Sequence, residues 1–223
     1  ASSLPRQLLA GAQYAPFRTG PLTSTAITAG AFIRSDPLLE RPDIQINMFS
    51  WSAMERTSEE VIPHPFPAFT MSPVHLRPDC DGSVRIKSPD PLAPPAISYE
   101  FLRSPYDQQA ILHGMRVCRQ IANQPALSRY MVEEVVPGPT VASDEELLAD
   151  VRARGIANYH PVGTCRMGDA LDSATDARLR VHGIDGLRVA DASVMPSIIA
   201  GNTNAPTIMI GEKAAAMILE DAA

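Results

Sequence analysis

Cysteine is scarce. Cys80, Cys118 and Cys165 are the three cysteines among 223 residues, an odd and widely spaced set that does not make a disulfide framework. Such usage favours a reducing compartment, so a cytoplasmic location is expected, free or peripheral to a membrane. Basic charge is also in deficit. Nineteen Lys and Arg against 25 Asp and Glu leave a net charge of −6, and no basic stripe interleaves with aromatics, which argues against a nucleic-acid partner. No apolar run approaches the ~18 residues of a membrane span. The longest, Ile198 to Ile210, is broken by Gly201, Asn202, Asn204 and Pro206. The chain does not open with Met or with a basic-then-apolar leader, and it reads as a processed piece or fragment. There is no G-x-S-x-G elbow of the hydrolase kind and no glycine-rich G-x-G-x-x-G fingerprint for a dinucleotide. What is plentiful is ordinary: 45% hydrophobic and 20% charged residues, enough for a globular core.

The first 20 residues carry a short amphipathic pattern through Leu4, Leu8, Leu9 and Ala12, followed by turn residues around Pro16 and Gly20-Pro21. Thr23 to Arg34 is rich in Thr, Ile and Phe and predicts a strand. Asp43 to Phe49 alternates, with Ile44, Ile46 and Met48 on one face and Asp43, Gln45 and Asn47 on the other, the pattern of a half-buried strand. Ser52 to Pro67 reads as a polar loop. Ala68 to Leu76 and the alternating Ser83 to Lys87 flank the turn signal Asp81-Gly82, and together they predict a β-hairpin. Pro89, Pro91, Pro94 and Pro95 impose an extended crossing.

Helix signals follow. Ser104-Pro105 with Asp107 in the first turn opens a long helix whose Ile111, Met115, Cys118 and Ala122 share one face. Ser143-Asp144-Glu145-Glu146 is a capping box for a helix that ends at Gly155 with Arg152 and Arg154 in its last turn. Arg178 to Val181 and Leu187 to Asp191 are two short β-like pieces. A final helix is expected from about Asn204 to Asp221, with Ile208, Met209 and Ile210 deeply buried. Residues 20–140 thus read as an antiparallel sheet with one helix. The tail, with two short strands and one helix, is expected to need something else to dock on.

Two stretches concentrate the chemistry: Asn158-Tyr159-His160-Pro161-Val162-Gly163-Thr164-Cys165-Arg166-Met167-Gly168 and Gly201-Asn202-Thr203-Asn204-Ala205-Pro206-Thr207. His160 is suited to take a proton near neutral pH, and it also fits a structural histidine that satisfies a nearby backbone group. A zinc pair with Cys165 has the wrong spacing and no second pair to complete it. His64, His75, His113 and His182 read as structural. Asn204 fits an N-cap, and the helix N-terminus behind it offers free N–H groups to an anionic ligand. Asp191-Ala192-Ser193 ends an apolar strand, where backbone N–H groups and a carboxylate meet a phosphate or sugar.

Those residues carry a resemblance. Tyr159-His160-Pro161 with Gly163 to Gly168, then Leu179 to Val181 with Gly183, Leu187 to Ser193 and Met195-Pro196, then Gly201 to Ala214, stand in the order found in the C-terminal region of the glucose–methanol–choline (GMC) flavoprotein oxidoreductases. The chain resembles the choline dehydrogenase and alcohol dehydrogenase branch. Upstream, Arg18 to Leu22, Arg77-Pro78, Gly82 to Val84, Asp90-Pro91 and Pro94-Pro95 are similar to substrate-domain landmarks of that family.

The resemblance implies an α+β fold: an antiparallel-sheet substrate domain with helices over residues 1–154, then a catalytic loop and C-terminal strands and helix, 155–223, that complete an FAD domain. The glycine-rich half that holds the ADP part of FAD would be a missing N-terminal Rossmann partner. It implies oxidation of a primary alcohol, choline-like or other, to an aldehyde, with hydride passing to FAD and then to oxygen or a quinone-type acceptor. By resemblance His160 is the base and Asn202 its partner, and Asp191, Ala192, Asn202 and Thr203 contact FAD. Phe49, Trp51 and Tyr159 are candidates for the substrate wall. The alternative is a catalytically silent substrate-domain fragment without bound FAD.

Overall fold

The computed structural model describes residues 4–25, 27–56, 60–169 and 171–222. Its fold is α+β, with helices beside small antiparallel pairings. Backbone contacts divide it into two compact units. One runs through Val74 and adds His113–Met131; the other comprises His75–Leu112 and the chain from Val132 onward.

The first unit opens with α1 (Leu4–Phe17), which runs through Pro16 and buries none of its residues. Its sheet has the order β1 (Ile27–Ile33), β2 (Ile44–Phe49), β5 (Thr70–His75). β1 and β2 are antiparallel, pairing Ile33 with Ile44 and Gly30 with Asn47. As the central strand, β2 is covered on both faces. The expected solvent face of Asp43, Gln45 and Asn47 is instead buried, at 0%, 7% and 2% exposure. Buried polar groups need partners. Asp43 Oδ1 accepts from the Ser35 N–H at 2.7 Å, and Gln45 Nε2 donates to Asn47 Oδ1 at 2.9 Å.

The second half of α2 (Pro105–Ala122) lies flush on this sheet. A Cβ at Gly114 would meet the Pro73 Cβ at 2.7 Å, so only glycine fits there. Cys118, one turn further on, is 8% exposed. The segment expected as a polar loop holds a two-stranded ribbon, β3 (Ala53–Arg56) against β4 (Val61–Pro63). Residues 57–59 of that segment lie outside the described residues.

In the second unit the predicted hairpin has a different partner. β6 (Gly82–Arg85) pairs with β7 (Ala96–Tyr99), not with β5. The proline-rich segment turns the chain back instead of crossing: the N–H groups of Leu92 and Ala93 both bond to Asp90, at 3.0 and 3.1 Å. Ser104 caps α2 as expected, accepting from the Asp107 N–H at 3.1 Å. Asp107 is buried at 1% exposure, accepts from the Asp79 N–H at 2.9 Å, and faces His75 Nδ1 at 3.4 Å. After the one-turn α3 (Pro125–Ser128), which belongs to the first unit, α4 (Asp144–Arg154) begins with the reciprocal Ser143–Glu146 capping box and ends at Gly155.

The tail packs a small core, and Ile208, Met209, Ile218 and Leu219 of its helix stay exposed. Leu179, Val194 and Met195 pack with Ile210 and Ala214 of α5 (Asn204–Asp221). The two expected short strands are reduced to single bridges, Thr175 with Val181 and Arg180 with Arg188. On α5 the periodicity of burial is sharper than expected. Ile210 is 5% exposed, while Ile208 and Met209 are 59% and 53% exposed, because only one face meets this core.

Burial sets a testable alkaline limit. Desolvation pushes the Cys118 thiol up to about 12, whereas an unfolded thiol ionises near 9. Between those values the unfolded state releases a proton that the native state keeps. Stability is therefore expected to fall as pH rises through that window, by roughly 1 kcal/mol per pH unit. Urea melts at pH 8 and 10.5 check this, and Cys118→Ala is expected to flatten the difference.

Candidate active site

The two chemistry-bearing stretches meet in the second unit. The loop after α4 is held from below by the core segment that follows Asp191. The Cys165 N–H bonds to the Ser193 carbonyl at 3.0 Å and the Met167 N–H to the Val194 carbonyl at 2.8 Å. Val194 is fully buried, so these carbonyls sit on a rigid floor. Thr175, also fully buried, donates to the Cys165 carbonyl at 3.3 Å. Val162 and Met167 of the loop pack on the same core. Neither Thr175 nor Val194 was singled out by the sequence. Each is a small residue in irregular backbone, where no periodic pattern marks burial.

On that floor His160 Nε2 lies 3.4 Å from Asn202 Nδ2. With the amide nitrogen as donor, Nε2 is the acceptor and the ring proton sits on Nδ1. Asp191 caps the short 3₁₀ turn Ala192–Val194, its Oδ1 accepting from the Ser193 N–H at 2.8 Å. Asp191 and Ala192 thereby join the loop through the segment that anchors it. Thr203, 8% exposed, precedes α5, and its carbonyl accepts from the Thr207 N–H and hydroxyl at 3.0 and 2.6 Å. Thr203 is the capping position, not Asn204, which forms the first helical residue. The helix starts at the polar residue that the sequence offered as cap, one position earlier than expected, because the Thr203 carbonyl already closes the first turn.

The start of α5 fits a negatively charged ligand. No side chain caps it and no acid lies in its first turn. The Asn204 and Ala205 N–H groups have no acceptor within the helix, and the dipole's positive end lies there. The remaining histidines of this unit are bonded elsewhere; His182 Nε2 lies 3.0 Å from the Gly168 carbonyl. Among the described residues no group of three or more His, Cys, Asp and Glu side chains could hold a metal ion.

A family model described as GMC oxidoreductase matches residues 78–211, which takes in the whole of this site. The chain belongs to the GMC oxidoreductase family. It is 38% identical, over 98% of its length, to an alcohol dehydrogenase [acceptor] of Pseudomonas putida. It is 42% identical, over 92% of its length, to an oxygen-dependent choline dehydrogenase of Citrobacter koseri. The chain spans 39% and 36% of those two GMC relatives. Among solved structures, pyridoxine 4-oxidase from Mesorbium loti superposes on 87% of the chain and 38% of its own, with a TM-score of 0.77 and 27% identity.

Gly163, in the middle of the GMC loop, has φ +85°, a conformation that side chains with a Cβ seldom adopt. The nearest atom to an added Cβ is the Met195 carbonyl oxygen at 3.5 Å, an ordinary contact. The cost of Gly163→Ala is therefore conformational, not steric, and is expected at about 1 kcal/mol in a urea titration.

Proposed function

We propose that this chain is the substrate-binding and catalytic part of an FAD-dependent enzyme that oxidises a primary alcohol to its aldehyde. Residues 1–154 form the substrate-binding part, and 155–223 the catalytic loop and the C-terminal piece of the FAD domain. The observation that carries the reading is the approach of His160 to Asn202 beside the open end of α5. The names of its relatives, an alcohol and a choline dehydrogenase, support the substrate class.

Oxidising R–CH₂–OH to R–CHO removes one proton from oxygen and one hydride from carbon. Nε2 of His160 presents the lone pair that takes the proton. Asn202 Nδ2, a hydrogen-bond donor in the same place, holds the substrate oxygen as charge develops on it. Asp191, Ala192, Asn202 and Thr203 would hold FAD, with the α5 N-terminus favouring negative charge on its ring. FAD supplies the hydride acceptor when bound, and oxygen or a quinone-type compound takes the electrons onward. A Rossmann-type half completes the cofactor site. No helix among the described residues is long and apolar enough to cross a membrane. We place the enzyme in the cytoplasm, in keeping with its free thiols at Cys80, Cys118 and Cys165.

The exposed Ile208 and Met209 at the start of α5 favour a second reading, in which this chain alone is a silent unit without cofactor. Visible absorbance of the purified chain separates the two. Flavin bands that persist through gel filtration support a self-sufficient site, and their absence supports the silent unit.

In the full-length, flavin-loaded protein, His160→Ala is expected to slow flavin reduction by alcohol ~10²-fold or more. Asn202→Ala is expected to slow it as well. Rapid-mixing absorbance measures both, and a near-normal rate for His160→Ala sinks the assignment.

A further inference from the structure

The apolar side of the β6–β7 ribbon faces outward. Its register pairs Val84 with Ile97 and Gly82 with Tyr99. Side chains alternate across a strand, so Val84, Ile97 and Tyr99 share one face, and Ser83, Arg85 and Ser98 share the other. In sequence the alternation continues to Ile86 and Phe101. The Phe101 ring stacks on Tyr99, with centroids 4.9 Å apart and planes 8° from parallel. In β6 the half-buried residue is polar Ser83. The apolar face is open: Val84 is 46% exposed, Ile86 91%, Ile97 57%, Tyr99 52% and Phe101 56%. Polarity is thus inverted relative to a sheet that borders water.

A two-stranded ribbon is marginal in water until a further layer covers its apolar face. A membrane surface does not suit this face. Asp81, Asp90 and Glu100 stand among Arg85, Lys87 and Arg103, so no basic surplus meets anionic lipid. A second copy lacks area: five side chains of this size, about half exposed, present roughly 500 Å² against about 800 Å² a side in a standard interface. A covalently joined segment needs less, because the link itself supplies a high effective concentration. The GMC relatives have length for such a segment, since the chain spans 39% and 36% of them. We infer that the apolar face of the β6–β7 ribbon seats the upstream part of the same polypeptide, which covers Val84, Ile86, Ile97, Tyr99 and Phe101. The inference rests on the reading of this chain as the C-terminal portion of a longer flavoprotein, and not on the role of His160.

The test uses the full-length, flavin-loaded protein carrying the photo-reactive residue p-benzoylphenylalanine in place of Phe101 or of Ile86, with the same replacement of Ser98 as the opposite-face control. After irradiation, peptide mass spectrometry identifies what each position captures. A mixture of heavy- and light-nitrogen protein separates capture within a molecule from capture between copies. Phe101 and Ile86 are expected to capture peptides upstream of Ala1 within one molecule, and Ser98 is expected not to. In the unsubstituted protein, hydroxyl-radical oxidation of Tyr99 and Phe101 is expected to be slower than in the urea-unfolded protein by about 10-fold or more.

Capture of a second copy, or of peptides within residues 1–223, overturns the inference by naming another occupant. So does capture of lipid, or of no peptide at all. Equal capture of the same peptides from Ser98 also overturns it, because the apolar face is then not the seat. If the substituted proteins do not take up flavin, the unsubstituted protein decides: oxidation of Tyr99 and Phe101 at the unfolded rate overturns the inference. Flavin bands in a longer natural protein beside a failed capture overturn this inference alone. A natural protein no longer than this chain overturns it together with the reading it rests on.

Discussion

Two backbone hydrogen bonds carry the geometry of the site: Cys165 N–H to the Ser193 carbonyl and Met167 N–H to the Val194 carbonyl. They join a loop with no regular structure to a segment buried in the tail core. Without them His160 would sit on a free connection after α4, and its distance from a residue 42 positions later would be undefined. Loops can carry precise chemistry when a packed scaffold holds them. Here the scaffold is small: Leu179, Val194, Met195, Ile210 and Ala214. Ile210 and Ala214 belong to α5, so the same packing that fixes the loop floor also fixes the helix whose first residues follow Asn202.

That arrangement divides the electrostatic tasks. In the proposed reaction the imidazole handles a proton, and the uncapped helix end offers fixed N–H groups and a dipole without a titrating group. A carboxylate in the first turn of α5 would oppose any anionic ligand there, and none is present. Acid is placed at the other end. Asp221 accepts from Arg178 and Arg188, and the hydrogen bond from Arg188 is the main cause holding its carboxyl below the usual range. The arginines thus tie the helix C-terminus to the irregular segment that also supplies Leu179.

Much of this was legible in the chain. Ser143 and Glu146 name a capping box because both halves of a local reciprocal bond lie three residues apart, and α5 runs over the residues its pattern marks. Asn202 and His160 were legible as a pair through family resemblance, not through spacing, since their meeting depends on tertiary packing. What failed were statements that needed a neighbour. Strand β6 took β7 as partner, because Asp90 closes a turn that prolines alone did not reveal. The Ser52–Pro67 segment hid a ribbon of three- and four-residue strands, too short for alternation to register. Ile208 to Ile210 looked uniformly buried because an apolar run has no phase until one side is covered.

The buried polar row of β2 bears on how the sheet finds its pairing. Two apolar faces alone would let a central strand slide past its neighbours with little penalty. Asp43, Gln45 and Asn47 remove that freedom, because sliding by one residue exchanges Ile44 and Ile46 with side chains that must find hydrogen bonds inside the protein. The wrong alignments leave the Asp43 carboxylate and the Gln45–Asn47 amide pair without the partners they have here, although Gln45 Oε1 is buried without a partner even in this alignment. Specificity at this strand therefore comes from making errors costly, and changes at these three positions are expected to be accepted in concert with Ser35 and with each other, not singly.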